Sequence, residues 1–308
     1  MLKKIIFFST PYFGVPILKS LYQNGYDISA VYTQPSKKSN RLKIEKSPIQ
    51  SLSETLNIEC RTPASLNENE DEKKFLKELN ADIAIVVAYG QILSPEILNL
   101  TKKGFINIHA SLLPLYRGAA PIQRSIINLE KQTGISIMKI IEKLDSGPIC
   151  NSYKLDLLEN ENAESLSNRL SSLAAEKILS NIDDILSDKA VFKSQDDAKA
   201  TYANKILKSE GKINWNNTSE NIIGKINGLY QNPGAWFVYK GIRYKILKAE
   251  TSSKNGAVGN VLSDNLEIAC LRGSIKIIEI QREGKRPQKI NEFMPGSQIK
   301  KGSILKDV

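Results

Sequence analysis

The most informative part of this sequence is Asn107-Ile108-His109-Ala110-Ser111-Leu112-Leu113-Pro114-Leu115-Tyr116-Arg117-Gly118-Ala119-Ala120-Pro121-Ile122. It follows an apolar pair, Phe105-Ile106, that predicts a short strand. Gly118 permits a turn, and Pro121 suits the first turn of a helix because its missing N–H has no partner there. Asn107 and His109 are two residues apart, so on a strand their side chains share one face. An amide and the only histidine of the chain at a strand end indicate chemistry on a carbonyl.

Length and composition limit the class of protein. The 308 residues fit two domains better than one, and 41% hydrophobic content is ordinary for a globular chain. The three cysteines are scattered without metal-ligand spacing, so we expect a reducing compartment, no disulfide framework and no metal. The first apolar run stops after Phe8, too early for a signal peptide, and no run approaches the ~20 residues of a membrane span. We therefore expect a cytoplasmic protein.

The first part of the chain alternates between strands and helices. Strands predicted at 3–9 and 28–34 enclose a helix that ends near Gln23, which gives a β-α-β unit with parallel strands. Further strands are predicted at 82–88, 135–141 and 149–155, and a helix at 163–186. The fold class is therefore α/β, with a Rossmann-like, mostly parallel sheet flanked by helices. The first turn, 9–14, lacks the Gly-x-Gly-x-x-Gly pattern, which disfavours a nicotinamide dehydrogenase.

The last third of the chain has a different character. We predict a linker over 190–205 between a catalytic domain, 1–189, and a second domain, 206–308. One helix is predicted at 220–229, and short strands are predicted at 212–215, 235–239, 243–249, 259–262, 267–270 and 274–281. Short strands at this spacing predict a small OB-like β-barrel. Residues 206–308 hold 17 Lys+Arg and 9 Asp+Glu, which indicates either a polyanion partner or simply a basic surface.

Ligands of open α/β sheets bind beyond the carboxyl ends of the strands. There the sequence places Asn107, His109 and an acidic loop, Leu144-Asp145-Ser146-Gly147-Pro148. Asn107 can donate a hydrogen bond to an oxyanion, and His109 can act as a general acid or as a charged partner of the oxyanion. Asp145 can hold the histidine tautomer and accept a proton through water. These groups fit acyl transfer to an amine, and no second histidine exists to activate a Ser or Cys nucleophile, so transfer is direct.

These residues resemble a known family, the formyltetrahydrofolate-dependent formyltransferases. The resemblance rests on Asn107-x-His109, its continuation through Gln123, and the loop around Asp145. It extends over most of the chain through Thr33-Gln34-Pro35, Ser47-Pro48, Val86 to Gly90, Thr201-Tyr202-Ala203-x-Lys205-Ile206, Ile213-x-Trp215 and Gly284-Lys285-Arg286. The continuation over 116–123 is similar to the members of the family that act on a charged tRNA.

The resemblance implies a Rossmann-like catalytic domain, a C-terminal barrel that binds tRNA, and no metal. It implies formyl transfer from 10-formyltetrahydrofolate to the amino group of methionine on initiator methionyl-tRNA, by a monomer. The catalytic residues implied are Asn107, His109 and Asp145. The folate contacts implied are Ser111, Leu112, Leu113 and Pro114, with the pterin among Val87, Tyr89, Gly90 and the loop Ile140–Asp145.

A basic loop over 35–48 is implied to approach the acceptor stem of the tRNA, with Arg41 and Lys43 as contacts. There the sequence departs from the family pattern, because Asn40 and Leu42 flank Arg41 where glycines are common. Three other functions stay open at this point. They are formyl transfer to a small amine, such as glycinamide ribonucleotide or an amino sugar nucleotide, a non-catalytic RNA-binding role, and hydrolytic release of formate.

Overall fold

The computed structural model describes residues 3–38 and 44–305. The chain forms two compact units. The first contains Met1–Gly118, Thr133–Leu155 and Ser167–Tyr202, and the second contains Ala119–Gln132, Asp156–Leu166 and Ala203–Val308. Two internal segments, 119–132 and 156–166, thus belong to the second unit although they precede most of it in sequence. The domain limits at 189 and 206 stay a prediction.

The elements up to residue 202 carry the predicted α/β pattern. The strands are β1 Lys4–Ser9, β2 Asp27–Tyr32, β3 Lys37–Lys38, β4 Ile44–Glu45, β5 Cys60–Arg61, β6 Ile83–Val87, β7 Phe105–His109, β8 Gln132–Lys139 and β9 Ile149–Asp156. The helices are α1 Val15–Gln23, α2 Pro48–Thr55, α3 Glu70–Leu79, α4 Pro95–Leu98, α5 Pro121–Ile127 and α6 Ala163–Leu186. β3 and β4 form a separate two-stranded ribbon.

The main sheet has seven strands in the order β5-β2-β1-β6-β7-β8-β9. Strands β5, β2, β1, β6 and β7 pair in parallel, whereas β8 pairs antiparallel with β7. All residues of β6 and five of the six in β1 are buried, as expected for parallel strands covered on both faces. The predicted Rossmann-like, mostly parallel sheet flanked by helices is therefore confirmed.

One buried polar cluster is part of the core of the first unit. The ring of Phe8 stacks on Tyr32 at 4.8 Å between centroids. The Tyr32 hydroxyl donates to Glu72 Oε2 at 2.8 Å, and Arg61 Nε donates to the same oxygen at 2.6 Å. Burial and the Glu72 hydrogen bond raise the pKa of Tyr32, so this hydroxyl stays a donor. The carboxylate of Glu72 is thus buried with two donors, which offsets its desolvation.

The second unit contains a small antiparallel sheet. Its strands are β10 Ala235–Tyr239, β11 Ile242–Ser252, β12 Glu267–Ala269, β13 Ser274–Arg282 and β14 Gln288–Lys289, and its later helices are α7 Ser219–Gly228 and α8 Ile290–Phe293. The order is β10-β11-β13-β12, with β14 on β13, and the sheet forms the predicted OB-like half-barrel. Helix α7 packs on β11 and β13.

The strands predicted at 212–215 and 259–262 are wrong in extent. Lys212, Asn260 and Val261 make isolated bridges instead of continuous ladders. After Ile213, the side chain of Asn214 accepts a hydrogen bond from the backbone N–H of Asn216 at 2.8 Å. Such an Asx turn bends the chain and ends the pairing.

No helix among the described residues is both long and apolar enough to cross a membrane.

We expect Trp215→Ala to destabilise the second unit strongly. The indole is 1% exposed and packs edge-on against Phe237 at 5.7 Å, so its removal leaves a large cavity. A loss of about 3–5 kcal/mol in the free energy of unfolding is expected. Urea titration followed by circular dichroism measures it. The matched control is Trp236→Ala, because this half-buried indole packs under Arg243 at the surface; equal losses would contradict the expectation.

Candidate active site

The two polar residues of β7 lie in the interior of the main sheet. Strand β7 is bordered by β6 and β8, with Asn107 opposite Val86 and Met138, and His109 opposite Ser136. Because side chains alternate along a strand, Asn107 and His109 project to the same face. Because β7 is paired on both sides, its backbone is held rigidly, and so are the points from which the Asn107 and His109 side chains extend.

The imidazole of His109 is oriented by a backbone carbonyl. Its side chain is 7% exposed, and Nε2 lies 2.9 Å from the carbonyl oxygen of Tyr116. Because a carbonyl oxygen only accepts, Nε2 carries the hydrogen and Nδ1 is the free position of the neutral ring. Nδ1 lies 3.7 Å from Asp145 Oδ2, outside hydrogen-bond range. Tyr116, and not Asp145 as the sequence suggested, therefore holds the tautomer.

The carboxylate of Asp145 lies between the two other predicted catalytic groups and a backbone N–H. Its Oδ2 accepts a hydrogen bond from Gly118 N at 2.8 Å, and its Oδ1 lies 3.5 Å from Asn107 Nδ2. The backbone of Asp145 has a φ of 43°, in the left-handed region. The structure thus brings together Asn107, His109 and Asp145, and their catalytic roles stay a prediction.

The residues predicted to contact folate after β7 form a locked turn. Ser111 is buried, and its hydroxyl donates to Leu115 O at 2.6 Å. The Ser136 hydroxyl donates to Ser111 O at 2.8 Å and accepts from Leu113 N at 3.0 Å. Leu112 and Pro114 are partly exposed, and the Leu113–Pro114 peptide bond is cis. Ser136 is a supporting residue that the sequence analysis missed.

The residues predicted around the pterin differ in what they offer to a ligand. The side chains of Val87 and Tyr89 are buried, and the Tyr89 ring packs edge-on against Phe8 at 5.2 Å. These two residues can therefore contact a ligand only through their backbone. Gly90 is exposed with a φ of 86°, and Ile140 is partly exposed, with its N–H donating to Phe105 O at 2.8 Å.

Arg41 and Lys43, predicted to contact tRNA, lie outside the described residues. Within the described ranges, no group of three or more His, Cys, Asp or Glu side chains is placed to hold a metal ion.

The sequence analysis also missed a group of residues after α6. Gln195 donates to the backbone carbonyls of Asp145 and Gly147, both at 2.8 Å. The Asp197 carboxylate accepts from Lys143 Nζ at 2.5 Å and from Arg117 Nη2 at 2.7 Å. These two contacts hold the pKa of Asp197 below its usual value. The only local signal was the polar run Ser194-Gln195-Asp196-Asp197, which is equally typical of a linker.

Comparison with known proteins identifies the family. The sequence model for formyl transferases matches residues 3–182, and that for the formyl transferase C-terminal domain matches residues 205–298. The chain therefore belongs to the formyl transferase family, as predicted. It is 63% identical over 310 residues to methionyl-tRNA formyltransferase of Pelagibacter ubique, covering 100% of both chains. It is 40% identical over 308 residues to methionyl-tRNA formyltransferase of Caldanaerobacter subterraneus subsp. tengcongensis, covering 98% of this chain and 100% of that one.

Solved structures share the fold at lower identity. WlaRD, a sugar 3N-formyl transferase crystallised in the presence of dTDP and 5-N-formyl-THF, superposes with a TM-score of 0.69 at 22% identity, over 93% of this chain and 99% of that chain. An N-formyltransferase from Helicobacter canadensis gives a TM-score of 0.67 at 19% identity, over 92% and 100%.

We expect Gly147→Ala to destabilise the loop that carries Asp145. A Cβ at this position would lie 1.9 Å from Lys139 O, so the backbone would have to move. Overpacking of this kind typically costs about 1–3 kcal/mol. Thermal unfolding measures the effect. Gly296→Ala is the control, since nothing lies within 4 Å of the added carbon; a Gly147→Ala protein as stable as this control would contradict the close approach.

Proposed function

We propose that this chain transfers a formyl group from 10-formyltetrahydrofolate to the amino group of methionine on initiator methionyl-tRNA. The observation that carries the proposal is the convergence of an amide, an imidazole and a carboxylate at the end of β7. The 63% identity over the whole chain to a methionyl-tRNA formyltransferase supports the choice of acceptor.

Asn107 stabilises the charge that develops on the formyl oxygen. Its Nδ2 donates from a fixed strand, so little reorganisation is needed when the oxygen becomes negative. The Asp145 oxygen 3.5 Å away keeps the amide nitrogen on the side of the carboxylate. Removal of one such donor typically costs about 10²–10³ in rate.

His109 transfers the proton that the attacking amine must lose. Nδ1 is the position of the ring that can take a proton from the attacking amine, because Nε2 already donates to Tyr116 O. Asp145 Oδ2 lies 3.7 Å from Nδ1, beside the ring nitrogen that receives this proton. The same proton can then pass from Nδ1 to the leaving nitrogen, which completes the transfer without a covalent enzyme intermediate.

The surroundings of the site fit a folate as the formyl donor. The loops that follow the strands expose four large apolar side chains, between 41% and 85% accessible, which are Ile92, Leu115, Ile141 and Leu144. Apolar walls with a few fixed polar groups are typical of sites for ring-shaped ligands. We assign the backbone of Val87, Tyr89 and Gly90, the turn 111–114 and Ile140 to this donor.

The second unit carries a positively charged cavity that suits the tRNA. This cavity of about 340 Å³ is lined by Arg282, Lys285 and Arg286, together with Gln288, Glu292, Phe293 and Gly296. All three cations are exposed, so phosphates can approach them. Arg41 and Lys43 are included as further tRNA contacts because the family resemblance implies them.

The direct test incubates the full chain with methionyl-tRNA and 10-formyltetrahydrofolate and measures formylmethionyl-tRNA. We expect formylation in proportion to enzyme. Formate without a formylated amine would support hydrolysis instead. Formylation of a small amine in preference to methionyl-tRNA would support the alternative acceptor class.

We expect Asp145→Asn and His109→Ala to lower kcat by about 10²–10⁴ while the protein stays folded, because both remove groups that control the proton. Steady-state formylation assays and circular dichroism measure the two properties. Asp71→Asn, which neutralises an exposed carboxylate on α3, is the control and should retain full activity. Wild-type turnover in either site variant would exclude the assigned roles.

We expect the double variant Lys285→Gln/Arg286→Gln to raise KM for methionyl-tRNA with little change in kcat. Each lost phosphate contact should also reduce the slope of log KM against log salt by about one. The control, Lys300→Gln/Lys301→Gln, removes the same charge from exposed positions of the same unit. Equal increases in KM for the two double variants would contradict a specific role of the cavity, because binding of methionyl-tRNA would then depend only on net charge.

A further inference from the structure

We propose that Gln195 is a positioning residue for the formyl transfer, because its side-chain amide holds the backbone that carries the Asp145 carboxylate. The inference rests on the proposed function for its kinetic readout. The hydrogen bonds of the Gln195 amide lie within the first unit, and they can be tested without that function.

Every hydrogen-bonding position of the Gln195 amide is used. Nε2 has two hydrogens, and it donates to the carbonyls of Asp145 and Gly147, each at 2.8 Å. Oε1 accepts from Arg117 Nε at 3.0 Å and from Arg117 Nη2 at 2.8 Å. An amide offers two donors and two acceptor positions, so this side chain is fully satisfied and its orientation is fixed.

Arg117, which donates to the oxygen of this amide, is itself held in place by its surroundings. It is 1% exposed, and Nη2 also donates to Asp197 Oδ1 at 2.7 Å. Its backbone N–H donates to Thr201 O at 2.9 Å. A buried guanidinium is costly to leave without partners, so these contacts hold Arg117 in one place.

Asp145 is thereby attached twice to one dipeptide, Arg117-Gly118. The Gly118 N–H binds its carboxylate directly at 2.8 Å. Arg117 holds its backbone carbonyl through Gln195. Two attachments fix both the position of the carboxylate and the direction from which it approaches His109, whereas one attachment would leave the loop free to rotate about it.

The loop needs this second attachment. Asp145 adopts a φ of 43°, a left-handed conformation that a non-glycine residue keeps only when its surroundings impose it. Two further side-chain contacts to the loop are weaker. Asn107 Nδ2 lies 3.5 Å from Asp145 Oδ1, and Lys143 pairs with Asp197 where both side chains are more than half exposed. Exposed ion pairs contribute little, so the Lys143–Asp197 pair cannot replace the two hydrogen bonds from the half-buried Gln195 amide. A displacement of 1 Å in a catalytic group can cost about 10² in rate.

The test separates donation to the loop from pairing with Arg117. Gln195→Glu keeps the oxygen that accepts from Arg117 Nε and Nη2, but an oxygen replaces Nε2, so both donors to the loop are lost. Gln195→Ala loses both interactions. We expect Gln195→Glu to lower kcat about 10- to 100-fold, with KM for methionyl-tRNA unchanged and thermal stability close to wild type. Gln195→Ala should lower kcat similarly and also lower the melting temperature, because Arg117 then keeps only Asp197 of its two side-chain acceptors.

Hydrogen–deuterium exchange gives a readout that does not depend on activity. We expect faster exchange of the backbone amides over 140–147 in Gln195→Glu and no change in Ser194→Ala, which alters an exposed neighbour. Should Gln195→Glu fail to fold, Gln195→Asn serves in its place. Its amide is one methylene shorter and cannot reach both carbonyls and Arg117 together, so the same losses are expected.

Wild-type kcat and wild-type exchange in Gln195→Glu would overturn the inference, because pairing with Arg117 alone would then be sufficient. An inactive wild-type protein would instead overturn the proposed function. The exchange measurement would still decide the inference in that case, with faster exchange over 140–147 supporting it and unchanged exchange overturning it.

Discussion

The hydrogen bond from Gly118 N to the Asp145 carboxylate is the contact on which the arrangement of the site depends. His109 and Asn107 belong to a strand that is paired on both sides, so their positions follow from the sheet. Asp145 lies on a loop, and a loop has no such support of its own. Its carboxylate is held 3.7 Å from the imidazole because the turn after β7 presents a backbone donor at 2.8 Å. The same turn supplies the Tyr116 carbonyl that orients His109.

Much of this could be predicted from the sequence because the signals are local. Buried parallel strands are continuous apolar runs, and β1 and β6 were recognised in that way. Helix α6 shows apolar residues at helical spacing, and its bounds in the structure, Ala163–Leu186, match the prediction. Asn107 and His109 were found by strand alternation, and Asp145 by its place in a loop at the same edge of the sheet.

The rest could not be predicted because it depends on contacts between residues far apart in sequence. Gln195 lies 50 residues beyond Asp145, and nothing in its local pattern distinguishes it from a solvated linker residue. The Tyr89 ring packs on Phe8 from β1, which itself stacks on Tyr32 from β2, and both strands lie far from Tyr89 in sequence. The tautomer of His109 depends on a carbonyl whose direction is set by the left-handed backbone of Tyr116, which propensity does not reveal.

The position of Gln195 in the chain affects the order in which the site can form during synthesis. All seven strands of the main sheet end by residue 156, so a growing chain holds Asn107, His109 and Asp145 long before it holds Gln195, Asp197 and Thr201. A nascent chain that exposes only the sheet therefore carries these three side chains without the segment from which Gln195 binds the Asp145 loop. The hydrogen bonds around the candidate site are thus completed late in translation, once the segment beyond α6 has emerged and can bind Arg117 and the Asp145 loop.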